Sequence, residues 1–278
     1  MIVLTLTLFS CGGSSKEQKS GKDKTSTKEI DNPDYNISIL IDLSDRITKQ
    51  TAGMNQDKKD SIIINQIVDE FIEDFNRKGK LPERKGQIKV FFYPTPKIEN
   101  ISEITNLLDL RFSDLKTSKE KREARDNLKI NYNKALKQLY SKALEDKHWI
   151  GSDIWGFFDT RVEDYCIKEG YRNILVIISD GYIYYQPTWK KNAGGTYPGM
   201  TSATISAGQK SITEINKKLS DLEVLFLEVD PYPENQFVDQ QKLLSEWFDN
   251  MEIKKYKILK TDAPGNNTTP IQNFFTNN

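Results

Sequence analysis

Apolar and polar positions along the chain predict strands that are separated by helices. Short runs that are almost entirely apolar are typical of strands covered on both faces. Five such runs occur, at residues 36–43, 87–93, 172–179, 222–229 and 254–260. Because helical stretches lie between them, the sequence predicts an α/β fold with a doubly wound, mostly parallel sheet and helices on both faces.

The stretches between the strands carry apolar residues at helical spacing. The first helix is expected to begin at Asp60 or Ser61 and to end before Gly79. The other predicted helices cover residues 119–146, 151–169, 208–220, 236–250 and 269–276. Residues 97–150 are expected to form a helical elaboration that includes a weak helix or mixed segment at 102–115. The many charges of 119–146 predict a solvated helix face.

The chain begins with ten almost wholly apolar residues, MIVLTLTLFS, followed by Cys11 and two glycines. The stretch from Leu8 to Cys11 resembles a bacterial lipobox. The resemblance implies that residues 1–10 are a signal peptide that is removed, and that Cys11 becomes the lipid-carrying N-terminus. A buried first strand with an incidental cysteine is the alternative.

Residues 11–34 are dominated by Gly, Ser, Lys, Thr, Asp and Glu. Such a composition does not bury a core and predicts a flexible tether. The folded domain is therefore expected to span residues 35–278. The order of apolar run, cysteine and tether predicts a membrane-anchored lipoprotein of the cell envelope, facing the periplasm or the cell surface.

Composition excludes several functional classes. The chain has 40 Lys and Arg, 40 Asp and Glu and one His, so its formal net charge is zero. A nucleic-acid coat protein needs a concentrated positive field instead. One histidine, His148, disfavours a His-rich zinc site or a Ser-His-Asp hydrolase. Two cysteines form no disulfide framework, and Cys166 is expected to be a buried thiol.

Three polar segments are predicted to meet beyond the C-terminal ends of the strands, where ligands bind in such sheets. The first is DLSDR at 42–46, which follows the first strand, and the second is SDG at 179–181. The third is GSD at 151–153, at a predicted helix start. Carboxylate and hydroxyl oxygens are the ligands that Mg²⁺, Mn²⁺ and Ca²⁺ prefer.

The order of these segments resembles that of the von Willebrand factor type A domain. That family carries a metal-ion-dependent adhesion site built from a DxSxS stretch, a Thr at a helix start and an Asp after the fourth strand. The resemblance implies that Asp42, Ser44, Ser152 and Asp180 are the ligands of Mg²⁺, or of Mn²⁺ or Ca²⁺. It also implies a protein partner whose carboxylate completes the coordination of the metal.

Arg46 departs from the family pattern, because it stands at the third DxSxS position. A guanidinium cannot ligate a cation. Arg46 is expected either to point outward and leave a weakened site, or to occupy the metal position and pair with Asp42 or Asp180. Plain loop-capping and turn roles for Asp42, Ser44 and Asp180 are the alternative to ligation.

Aromatic residues cluster in or beside the segment that follows Asp180. Aromatic side chains in a loop at a ligand edge favour contact with a partner. A loop that folds back and buries them is the alternative. The candidate partner-binding residues are Tyr182, Tyr184, Tyr185, Trp189 and Tyr197.

These observations predict a lipid-anchored binding module that engages a protein partner at the C-terminal edge of the sheet, with or without a divalent cation. A metal-free scaffold component of an envelope complex is one alternative. A metal-dependent phosphoesterase is a second. The sequence disfavours it, because it has no DxD pair, no Gly-rich phosphate loop and no two-metal ligand set. We therefore expect no enzymatic activity.

We expect Cys11→Ala to move the protein from the membrane fraction to the soluble fraction, because the variant has no thiol to carry lipid. Fractionation followed by immunoblotting measures this. Cys166→Ala is the matched control and should stay with the membranes. Retention of Cys11→Ala in the membrane fraction would show that the lipobox interpretation is wrong.

Overall fold

A six-stranded sheet lies at the centre of the computed structural model, which describes residues 33–146, 151–182, 217–231 and 234–276. The sheet order is β3-β2-β1-β4-β5-β6, and every neighbouring pair is parallel except β2 and β3. The predicted α/β fold is thereby confirmed. The strands are β1 (Asp34–Ile41), β2 (Gln87–Phe91), β3 (Asp109–Arg111), β4 (Tyr171–Ile178), β5 (Leu222–Val229) and β6 (Lys255–Lys260).

The chain reverses its direction across the sheet at β1. It leaves β1 for β2 and β3 on one side, and later returns to place β4, β5 and β6 on the other side. In open parallel sheets the crevice at this topological switch point is where ligands bind. The residues that follow β1 and β4 therefore stand at the expected binding position of the fold.

Helices cover both faces of the sheet. Short 3-10 turns and a two-residue hairpin at Gln50–Thr51 and Met54–Asn55 complete the elements. No helix within the described ranges is both long and apolar enough to cross a membrane. The helices are α1 (Gln56–Arg77), α2 (Ile101–Asn106), α3 (Ser118–Asp146), α4 (Ile154–Thr160), α5 (Val162–Cys166), α6 (Phe237–Asn250) and α7 (Pro264–Thr276).

The strands bury alternate side chains in two cores. Ile37 and Ile39 of β1 pack with side chains of α1, α3 and α7 on one face. Leu40 of β1 packs with α4, α5 and α6 on the other face. The strands are continuous apolar runs because both faces are covered. Cys166 is a free, buried thiol, as predicted, and burial raises its pKa to about 12.

Several boundaries differ from the sequence prediction. The segment at 102–115 contains the antiparallel strand β3, whose sequence Asp-Leu-Arg has one apolar residue and hence no strand signal. The helix predicted at 151–169 is two short helices, α4 and α5. Residues 217–220, predicted to be helical, are not, and the rest of that predicted helix lies outside the described residues.

Helices α1 and α7 also begin earlier than predicted. α1 begins at Gln56, before the first apolar residue of its buried face. α7 begins at Pro264, five residues before the predicted start at 269. A proline fits the first turn of a helix, where its missing N–H has no intrahelical partner. The polar residues that follow Pro264 gave no periodic signal.

α3 packs its apolar stripe against the rest of the domain. Leu128, Tyr132, Leu136 and Tyr140 are buried in the core on the α1 side of the sheet. The Tyr132 hydroxyl donates to the main-chain oxygen of Leu108, at 2.9 Å. Many charged side chains of α3, among them that of Lys137, are exposed.

We expect Leu136→Ala to lower the free energy of unfolding by about 2–5 kcal/mol, because it opens a cavity at a fully buried position. Chemical denaturation measures this. Lys137→Ala, at the neighbouring exposed position, is the control and should change stability by less than about 0.5 kcal/mol. Equal effects of the two substitutions would contradict the packing of α3.

Candidate functional site

The segments that follow β1 and β4 are joined by hydrogen bonds. The Asp42 amide donates to the Ile178 carbonyl at 3.0 Å. The Ser179 hydroxyl donates to Asp42 Oδ2 at 2.8 Å, and the Ser44 amide donates to Asp42 Oδ1 at 2.8 Å. Asp180, the next residue along, therefore lies at the same edge of the sheet as Asp42.

Asp42 and Asp180 form a buried pair of interacting carboxylates. Burial raises the pKa of Asp42, and the nearby Arg46 charge opposes this shift. Burial, together with the negative charge of Asp42, raises the pKa of Asp180 to about 6, against the opposing charges of Arg46 and Lys49. Two ionised carboxylates in a poorly solvated site repel each other, so a cation at this edge is favourable.

Arg46 is buried and pairs with Asp60 of α1. Its Nη1 and Nη2 donate to the two Asp60 oxygens at 2.7 and 3.0 Å, and Nη1 also donates to the Asp42 main-chain oxygen at 3.2 Å. The Tyr140 hydroxyl donates to the same Asp60 carboxylate at 2.9 Å. Burial disfavours the guanidinium, but Asp60 outweighs this effect and raises the pKa of Arg46.

This placement of Arg46 corrects both alternatives considered from the sequence. The side chain does not point outward, and its ion pair is not with the carboxylate of Asp42 or Asp180. The reason is that α1 begins at Gln56 and presents Asp60 to the interior, where a fork-shaped guanidinium matches a carboxylate in a bidentate pair.

Lys49 provides the cation that contacts Asp180. The Lys49 Nζ lies 3.3 Å from Asp180 Oδ2. The Lys49 side chain is 44% exposed, whereas that of Asp180 is 10% exposed. A pair with one half-exposed, flexible partner is weak compared with a buried bidentate pair.

A second ionic group lies next to the first. Lys59 Nζ is 2.7 Å from Glu228 Oε2, and both side chains are fully buried. Gln56 Nε2 donates to Asp60 Oδ1 at 2.8 Å and to Glu228 Oε2 at 3.0 Å, so it links the two groups. Thr261 and Asn267 donate to the Glu228 carboxylate as well.

The sequence analysis missed Asp60, Lys59 and Glu228 as members of this network. The available signal was a glutamate within LEVLFLEV, an otherwise apolar strand. A charged residue in a strand that is buried on both faces needs a partner. Nothing in a single sequence identified that partner as Lys59.

Ser152 lies near the end of β2 and is buried. Its hydroxyl is 3.5 Å from the main-chain oxygen of Tyr93, to which the Asp153 amide also donates, at 2.9 Å. Asp153 accepts from the Gly156 amide and so caps α4. Among the hydrogen bonds of the described residues, none joins Ser152 to Asp42 or Asp180.

The predicted aromatic cluster lies mostly outside the described residues. Tyr184, Tyr185, Trp189 and Tyr197 belong to the part of the chain that is not described. Tyr182 is half-buried, and its amide donates to Asp180 Oδ1 at 3.3 Å. The segment after Asp180 thus starts with a main-chain contact to the candidate site.

The oxygen donors at this edge are of the types that a hard divalent cation takes. Asp42 and Asp180 supply carboxylates, and Ser44 follows Asp42 in the same loop; Mg²⁺ and Mn²⁺ take carboxylate and hydroxyl oxygens together with water. The described residues contain no group of three or more His, Cys, Asp or Glu side chains placed to hold a metal. A cation here would therefore depend on hydroxyl and water oxygens in addition to carboxylates.

Comparisons with known proteins extend over most of the chain but are weak. No protein-family model and no curated protein matches it. An aerotolerance-related membrane protein from Bacteroides fragilis NCTC 9343 is similar in structure, with 13% identity and a TM-score of 0.41, over 87% of this chain and 98% of that one. The conserved hypothetical protein BatB from Bacteroides thetaiotaomicron has 14% identity and a TM-score of 0.38, over 86% and 98%.

We expect the unfolding free energy of the wild type, in chelator, to fall relative to Asp180→Asn as the pH rises from about 4 to about 6. A carboxyl with a raised folded-state pKa stabilises the fold while it is protonated, and this contribution is lost as it ionises. The rise in the pKa of Asp180 from 3.8 to about 6 corresponds to about 3 kcal/mol of unfolding free energy over this pH interval.

Urea denaturation at several pH values measures this difference. Asp164→Asn, which removes an exposed carboxylate from α5, is the control for the loss of one acidic group. Parallel pH profiles for the wild type and Asp180→Asn would contradict the raised pKa.

Proposed function

We propose that this protein is a lipid-anchored binding module of the cell envelope, and that it engages a protein partner through a divalent cation at the edge formed by Asp42 and Asp180. One observation carries the proposal. Two buried carboxylates follow adjacent strands at the topological switch point, and Lys49, a half-exposed side chain, contacts one of them.

The charges around the edge support cation binding. The network contains four carboxylates, those of Asp42, Asp60, Asp180 and Glu228, against the three cationic side chains of Arg46, Lys49 and Lys59. The cluster thus has one negative charge more than it has positive charges when all its groups are ionised. An uncompensated buried charge is costly, so added positive charge at this edge is favourable.

The chain's own residues divide into ligands and supports. Asp180, Ser44 and Ser152 would hold the cation together with Asp42, which Ser179 and the Ser44 amide keep in place. The cation would supply an open coordination position for an oxygen of the partner, and a carboxylate suits that position best. Such a metal would bridge two proteins instead of driving chemistry.

The envelope location is part of the same proposal and is supported by the sequence alone. Cys11 follows an apolar run and precedes the polar stretch of residues 12–34. A lipid on Cys11 would hold the domain at a membrane, with the polar stretch as the connection.

A metal-free scaffold is the second candidate function, and one contact favours it. The Lys49 ammonium, 3.3 Å from Asp180, already supplies a positive charge to the carboxylate pair. In that case the edge would bind a partner through exposed side chains without any metal.

We expect Mg²⁺ or Mn²⁺ at about a hundred times its dissociation constant to stabilise the wild type by roughly 2.7 kcal/mol. For a domain of this size the unfolding midpoint should rise by roughly 5–10 °C. Asp180→Ala should abolish the rise because it removes a ligand, whereas Asp45→Ala, at an exposed carboxylate of the same loop, should retain it.

Thermal unfolding in chelator and then in excess cation measures these shifts. A rise of the same size in Asp180→Ala would contradict the cation site. The absence of a rise in the wild type would favour the metal-free scaffold.

A further inference from the structure

The three cationic side chains of the network, those of Arg46, Lys49 and Lys59, differ in how firmly they are held; the network is called the cluster below. Arg46 makes a bidentate contact with Asp60, and both side chains are buried. Lys59 is fully buried against Glu228. Lys49 instead contacts Asp180 at 3.3 Å from a half-exposed position.

The main chain at Lys49 is fixed, although its side chain is not. The Lys49 amide donates to the Arg46 carbonyl at 3.0 Å, and the Lys49 carbonyl accepts from the Gln56 amide at 3.1 Å. The ammonium stands at the end of a flexible four-carbon stem. It can therefore leave Asp180 for solvent without any change in the loop that carries Asp42 and Ser44.

Charge balance determines whether a monovalent or a divalent cation binds favourably in the place of the Lys49 ammonium. With Lys49 in place the cluster has one excess negative charge, and without it the cluster has two. A monovalent cation restores only the charge that Lys49 already supplied. A divalent cation neutralises the cluster, because Arg46 and Lys59 keep their own carboxylates.

We propose that Lys49 is a built-in competitor for the cation site: its ammonium occupies Asp180 when metal is absent, and a divalent cation binds by displacing it. The displaced ammonium remains at the rim of the site, where it attracts an acidic partner group. Lys49 thus sets the affinity of the site and its preference for divalent over monovalent ions. This inference rests on the proposed cation site.

Titration of the full-length chain with MgCl₂ or MnCl₂ alone, by calorimetry, tests the competition. Lys49→Met removes the competing charge and should tighten cation binding roughly 5- to 10-fold. This factor corresponds to the free energy of the partly exposed Lys49–Asp180 ion pair together with the repulsion between the ammonium and the bound cation. Lys58→Met removes an exposed lysine of α1 and should bind as the wild type does. Lys49→Arg keeps the charge and should show no gain.

The outcomes separate this inference from the proposed function. Equal or weaker binding by Lys49→Met, with binding retained in the wild type, overturns the competition and leaves the cation site intact. An equal gain in Lys49→Arg also overturns it, since charge would not be the cause. Binding by Lys49→Met but not by the wild type overturns the displacement and the proposed cation-bridging function together, because Lys49 would then replace the metal permanently. No binding by either variant or the wild type overturns both.

Discussion

The buried ion pair between Arg46 and Asp60 holds the candidate site together. It ties the loop after β1 to α1, and Tyr140 of α3 donates to the same carboxylate. Gln56 extends the network to Glu228 in β5. Burying both charges is costly. Removal of one partner would leave the other charge uncompensated and would lower the free energy of unfolding by about 3–5 kcal/mol. The geometry of the loop thus depends on this pair as well as on the buried side chain of Ile47.

The same pair explains why the edge keeps its negative charge. A guanidinium near two carboxylates would ordinarily neutralise them, but both terminal nitrogens of Arg46 are directed to Asp60. Asp42 receives only a contact to its main-chain oxygen. The residue that departs from the adhesion-site pattern therefore ties the loop to α1 and makes no ion pair with the carboxylate of Asp42 or Asp180.

The sequence predicted the central strands well because their signal is local. β5 begins and ends at the predicted residues, 222 and 229. The reason is that the apolar run covers the same residues that the helices bury on both faces of the sheet. β3 escaped detection because three residues with one leucine carry no such pattern. The positions of Asp42, Ser44 and Asp180 at the edge of the sheet were predictable from the strand ends. Asp60 and Lys49 were not, because a charged residue near a helix start looks the same whether it is solvated or paired.

Glu228 shows how the network acts on the sheet. Its φ is +70°, a backbone conformation that is disfavoured for residues other than glycine. Glu228 lies where the register between β5 and β6 is irregular. Glycine would relieve the backbone but would leave Lys59 without a counter-charge in the interior. The strand therefore keeps a non-glycine residue at a disfavoured backbone conformation, where its carboxylate balances the buried charge of Lys59.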